Sequence, residues 1–80
     1  MNNKDYKLML ELLYQLRVSS GLLQIDLAEM LNVHQSLISK IESGERRIDI
    51  IELRDILICF KSNLIEFSVA LERKINDSRK

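Results

Sequence analysis

The chain has no proline, no tryptophan, two glycines and one cysteine among its 80 residues. With so little backbone punctuation the breaks must be few, and the stretches between them are free to be helix. No segment shows the sustained apolar/polar alternation, rich in Val, Thr and aromatics, that a strand needs. Cys59 has no second thiol to pair with, which excludes an internal disulfide and suits a reducing, cytoplasmic setting. Cys59 and His34 are the only soft-metal ligands, too few for a structural zinc site, which wants four. No apolar run approaches the roughly 18 to 20 residues of a membrane span. Residues Met1 to Asp5 form no hydrophobic signal core. Net charge is missing too, since twelve Lys and Arg balance twelve Asp and Glu. Nucleic-acid binders are usually basic, so at first sight neutrality argues against that class.

What is present is a helical period. At 46% hydrophobic and 30% charged, the chain is too apolar for a disordered tail, and its length suits one domain, residues 1–80. With Tyr6 at zero and 100° per residue, Met9, Leu10, Leu13 and Leu16 fall within about 80° of it. That predicts a helix over 5–20, stopped by Gly21 in the left-handed conformation. A short helix over 24–31 follows, burying Leu27, Ala28 and Leu31 and ended by Asn32, which also tolerates that conformation. Another runs from His34 or Gln35 to Ser43 and is closed by Gly44. Glu45 to Ile48 link it to a helix over 50–60, N-capped by Asp49. Ser62 or Asn63 caps a last helix over about 64–76, with Leu64, Phe67, Leu71 and Ile75 on one stripe. Residues 77–80 are polar and expected to fray. The fold class is therefore all-α, five helices around one core.

Two short helices about a tight Asn-containing turn, over 24–43, form a helix-turn-helix arrangement. The second of them carries the functional signal. With Gln35 at zero, Ser39 falls near 40°, Ser43 near 80°, Ser36 near 100° and Lys40 near 140°, while Leu37, Ile41 and Ile38 occupy about 200° to 300°. One face is thus short, polar or cationic, and the opposite face apolar. Gln, Lys and Ser hydrogen-bond base edges, Gln bidentate to adenine and Lys to guanine. An ordinary solvated face is the competing reading, but such a face favours Glu and Lys over three serines of mediocre helix propensity. His34 stands at a phosphate or as a solvated turn residue. Leu37 meets a thymine methyl or packs inward beside Ile41. Arg46 and Arg47 touch phosphate or are a solvated pair at a helix boundary. No nucleophile-base spacing and no phosphate-cradling glycine loop is present, so neither catalysis nor a cofactor is expected.

The run Gly21 to Gly44, with Gln24, Leu27-Ala28, Leu31, Val33, Ile38-Ser39, Ile41-Glu42 and Gly44 in register, resembles the Xre-type, phage-repressor and Cro-like helix-turn-helix family. The likeness continues through Leu53, Ile56 and Phe67. Asn32 stands where glycine is usual, and Ile48 where proline is common. The resemblance implies a lambda-repressor-like five-helix DNA-binding domain that acts in transcription regulation. It implies that Gln24 holds a phosphate, that Gln35, Ser36 and Lys40 supply most base contacts, and that Arg46 and Arg47 lie along the phosphate backbone. It also implies an ion pair of Arg17 with Glu42, and the wheel agrees by placing both on or beside core faces. Within the family type, the expectation is a sequence-specific regulator, a repressor, and the alternative is an antitoxin or restriction-control protein with an added protein partner. A helical interaction module without DNA binding is the alternative from another class.

Two apolar stripes are left over. Leu8 and Leu12 lie at about 200° to 240° on the first helix, and Ile65 and Val69 at about 100° to 140° on the last. Either these stripes cover each other within one chain, or they form a homodimer interface, the expectation favoured here. A two-fold dimer would read half-sites of double-stranded DNA about 34 Å apart. Neutrality also proves to be local cancellation. Residues 33–48 carry +1 and residues 61–80 carry +2, while 21–32 and 49–60 each carry −2. Few phosphate-pairing cations remain, which predicts a modest salt dependence of binding.

Overall fold

Helices form over Asn3–Ser19 (α1), Gln24–Leu31 (α2), Gln35–Ser43 (α3), Ile50–Cys59 (α4) and Leu64–Ser78 (α5) in a computed structural model that describes residues 3–80. The first four helices all stop at a residue of positive φ: Gly21 (75°), Asn32 (56°), Gly44 (84°) and Lys61 (58°). After α1, Gly21 N–H donates to the Val18 carbonyl at 3.0 Å and Leu22 N–H to the Arg17 carbonyl at 3.3 Å. That crossed pair is the Schellman closure, which satisfies carbonyls a helix end would otherwise leave unpaired. It recurs after α2, with Asn32 N–H on Glu29 and Val33 N–H on Ala28, and after α4, with Lys61 N–H on Ile58 and Ser62 N–H on Leu57. The sequence signals found Gly21, Asn32 and Gly44. Lys61 was missed, because lysine bears a Cβ and seldom adopts this conformation.

Helix starts divide into two kinds. Asp49 accepts from Glu52 N–H at 2.8 Å, and the Glu52 carboxylate accepts from Asp49 N–H at 3.1 Å, a reciprocal capping box. Asn63, and not Ser62, caps α5 by accepting from Glu66 N–H at 2.9 Å. By contrast, neither Leu23 before α2 nor His34 before α3 caps its helix with a side chain.

The core gathers Leu13, Leu27, Ala28, Ile38, Leu53, Ile56, Leu57, Phe60 and Phe67, with Leu27, Ile38 and Leu57 fully enclosed. Burying each such side chain stabilises the fold by about 1.5 to 3 kcal/mol. Helix α2 lies against α3 and α4, α1 against α3 and α5, and α4 against α5. Ala28, 2% exposed, is the small residue that lets α2 approach its neighbours.

Three expectations need correction. Helix α1 begins two residues earlier than the wheel suggested. The C-terminus does not fray at residue 77: α5 runs to Ser78, and Arg79 pairs with Asp5 at the start of α1. Lys74 and Glu11, 3.6 Å apart, join the same two helices. Leu12 does not point away from the core. It is half-buried and packs against the core cluster, because α5 crosses the side of α1 that a single-helix wheel leaves open. Leu8, on the same stripe, is half-buried as well. Ile65 and Val69 remain 78% and 48% exposed. Cys59 is half-buried, and burial followed by the nearby Asp55 charge pushes its thiol up, so the reactive thiolate is disfavoured. No helix among the described residues is long and apolar enough to cross a membrane.

Candidate nucleic-acid interface

Helix α3 is anchored by Ile38 and Ile41, 2% and 4% exposed, which leaves Gln35, Ser36, Ser39, Lys40 and Ser43 in solvent on its other side. Leu37 is half-buried and lines a small apolar hollow with Val33, Ile41 and Ile56, so its packing role is the one realised in this fold. His34 is exposed at the start of α3. The first residues of α2 and α3, Gln24 and Gln35, lie close together, and neither helix has a side-chain cap at its N-terminus. Asp26 reaches back to Leu23 N–H at 2.8 Å, one half of a capping box.

Behind this face lies a hydrogen-bonded chain of four side chains. Arg17 Nε donates to Glu42 Oε2 at 2.6 Å and Nη2 to Oε1 at 3.1 Å, while Nη1 donates to the Leu22 carbonyl at 2.7 Å. Both side chains are largely enclosed, at 9% and 15% exposure, and the Arg17 guanidinium also sits 5.3 Å from the Tyr14 ring centroid. Glu42 Oε1 further accepts from Gln24 Nε2 at 3.1 Å, and Gln24 Oε1 faces Gln35 Nε2 at 3.5 Å. The expected pair is therefore present and reaches further than expected. A buried charge pair orients Gln24, whose carbonyl oxygen in turn steers the amide of Gln35. Sequence spacing could not supply this, since the four residues come from three helices.

The loop from Glu45 to Ile48 is clasped from two sides. Arg46 forms a forked pair with Glu52, Nη1 to Oε1 at 3.1 Å and Nη2 to Oε2 at 2.7 Å, and Nη1 also reaches the Arg47 carbonyl at 3.3 Å. The hydrogen bond from Arg46, then that from Asp49 N–H, holds the Glu52 carboxyl below the usual range. In this structure Arg46 directs its fork at Glu52. It still borders the hollow that contains His34, Ser36 and Lys40. On the other side, Tyr6 Oη accepts from Ile48 N–H at 3.2 Å, and the Arg47 guanidinium lies 4.5 Å from the Tyr6 ring centroid. The sequence marked Asp49 as the N-cap but not Glu52 as its reciprocal partner, and nothing local announced Tyr6.

A family model described as helix-turn-helix matches residues 13–67. The structure is similar to that of an XRE-family like protein from Pseudomonas syringae pv. tomato str. DC3000, at 35% sequence identity and a TM-score of 0.84, over 89% of this chain and 87% of that one. The chain belongs to the Xre-type helix-turn-helix family. No curated protein matches it.

Members of the Xre family are DNA-binding regulators. The matched span covers Gln24, the exposed face of α3, Arg46, Arg47 and both partners of the Arg17–Glu42 pair. All the residues singled out from the sequence for DNA contact, except Gln35 and Arg47, line two hollows of this Xre fold. One is lined by Gln24, Ser39 and Ser43, the other by His34, Ser36, Lys40 and Arg46. Lys7 of α1 also lines the first and was missed, because a lone lysine on an amphipathic helix reads as ordinary solvated charge. Among the described residues, no three His, Cys, Asp or Glu side chains converge as a metal site would require.

Proposed function

We propose that this chain is a sequence-specific transcriptional regulator that inserts α3 into the major groove of double-stranded DNA and represses by occupying its operator. The carrying observation is the Arg17–Glu42–Gln24–Gln35 chain. A helix presented only to solvent has no need of a buried salt bridge that orients the amide of an exposed glutamine. In this reading Gln35, Ser36 and Lys40 read base edges, with Ser39 and Ser43 beside them. Gln24 and the N-terminus of α2 hold a phosphate, and His34, Arg46 and Arg47 flank the backbone. The whole chain acts as one such unit, in the cytoplasm and without cofactor or catalysis.

A homodimer is part of the proposal. Ile65 and Val69 are exposed on α5, and Ile50, 64% exposed, borders Ile65 across an apolar groove. A two-fold contact there would bury these groups and present two α3 helices to successive turns of the groove. A heterologous protein on the same surface, as an antitoxin or controller would carry, is the second reading, and the same exposed apolar groups favour it. Selection of sites from a random duplex library tests the proposal: a palindromic consensus supports the dimeric reader. Absence of any enriched sequence, with no binding near 50 mM salt, would sink it.

A further inference from the structure

The geometry points to a second phosphate-contact cleft beside the base-reading face, formed by Lys7 of α1 with Ser43 and Arg47, in which Tyr6 is the positioning residue for Arg47. This rests on the DNA-binding reading and extends it to a helix outside the helix-turn-helix motif.

The cleft runs between the N-terminal half of α1 and the loop after α3, with Tyr6, Lys7, Ser43, Gly44 and Arg47 in its walls. It opens into the hollow that holds Gln24 and Ser39, since Lys7, Leu10 and Ser43 line both. Two cations line it and no carboxylate does. The acidic groups that could quench Lys7 are engaged elsewhere. On its own helix, Asp5 pairs with Arg79, and Glu11, which lines the adjoining hollow together with Lys7, pairs with Lys74 of α5 at 3.6 Å. Glu42 is taken by Arg17 and Gln24, and Glu45 lies 3.5 Å from the Ser43 hydroxyl without lining the cleft. Lys7 is exposed and has no ion pair among the described residues. Among the described residues Arg47 likewise has no carboxylate partner. It lies over the Tyr6 ring, whose hydroxyl accepts the Ile48 N–H and so ties the loop to α1. A guanidinium packed on an aromatic face keeps its N–H edge free for an oxyanion. The anion available beside a helix seated in the major groove is the phosphate backbone that walls that groove.

The test measures affinity against salt for a duplex selected from a random library and for a scrambled duplex, using Lys7→Ala, Lys7→Arg, Arg47→Ala, Tyr6→Leu and Tyr6→Leu/Arg47→Ala, with melting curves for all. Loss of one phosphate contact flattens the slope of log affinity on log salt by about 0.9. The wild-type advantage over Lys7→Ala should therefore shrink about 3.5-fold between 50 and 200 mM salt, equally on both duplexes. The selected consensus should stay the same, and Lys7→Arg should behave as wild type. Tyr6→Leu should reproduce the slope change of Arg47→Ala, and the double variant should bind no more weakly than Arg47→Ala alone. A wild-type slope in Lys7→Ala overturns the cleft and leaves the DNA reading standing. Losses that add in the double variant overturn Tyr6 as a positioning residue, and wild type that binds neither duplex at 50 mM overturns both readings.

Discussion

Replacing Glu42 by leucine should be among the most damaging single changes available in this chain, although Glu42 touches no core residue by charge. The carboxylate receives two hydrogen bonds from Arg17 and one from Gln24, and the Arg17 side chain is only 9% exposed. In Glu42→Leu the guanidinium keeps its bond to the Leu22 carbonyl and loses its counter-charge. Stranding a buried charge costs about 3 to 5 kcal/mol, and the residual 15% exposure of Glu42 places this case near the lower end, at about 3. For a domain of this size that corresponds to a fall in Tm of roughly 12 to 24 °C. Arg17→Met should cost a similar amount, because it strands the carboxylate and leaves the Leu22 carbonyl without its donor. The double variant Arg17→Met/Glu42→Leu should regain most of the loss, since an apolar pair of similar volume is often as stable as a buried ion pair. Thermal and urea unfolding of the four proteins close the cycle. A Glu42→Leu deficit under about 1 kcal/mol, or a double variant as unstable as the sum of the singles, would refute the strut. The DNA assay separates its two roles: the double variant should fold yet bind less selectively, because Gln24 no longer has Glu42 to hold it.

The remaining predictions are shorter. Lys61→Gly should raise stability by about 1 kcal/mol, read from the urea midpoint, since glycine carries no Cβ penalty at the positive φ of this helix end. Glu52→Gln keeps an acceptor for Asp49 N–H and removes only the charge paired with Arg46. Because the folded Glu52 carboxyl is held low, its stabilisation is present above the unfolded value of about 4.3 and lost as pH falls through the folded one. The wild-type Tm advantage over Glu52→Gln should therefore be present at pH 7 and shrink as pH falls below about 4.3. Gln35→Ala and Lys40→Ala should each cost about 1 to 3 kcal/mol of binding and relax preference at particular base pairs; an unchanged selected consensus would count against the assignment. Ile65→Lys with Val69→Glu should give a folded monomer by sedimentation, and an unchanged mass would remove α5 from any self-contact.

Much of this molecule is written in local sequence. Two glycines and an asparagine stop three helices, because the left-handed residue at a helix end is chosen by side-chain sterics alone. Asp49 and Asn63 start two more through their own carbonyl or carboxylate oxygens. The polar face of α3 follows from spacing and helix geometry, and so does the inward aim of Arg17 and Glu42. Tertiary structure decided the rest, and in each case the cause is a contact between residues far apart in the chain. Leu12 is packed because α5 crosses α1. Gln24 is oriented by a carboxylate 18 positions later, and Tyr6 steadies a loop 42 positions away. The net charge of zero conceals the same division. Composition determines that few cations can be spared for DNA, but pairing decides which. Arg17 and Arg46 are held by Glu42 and Glu52, while Lys7, Lys40 and Arg47 form no ion pair among the described residues.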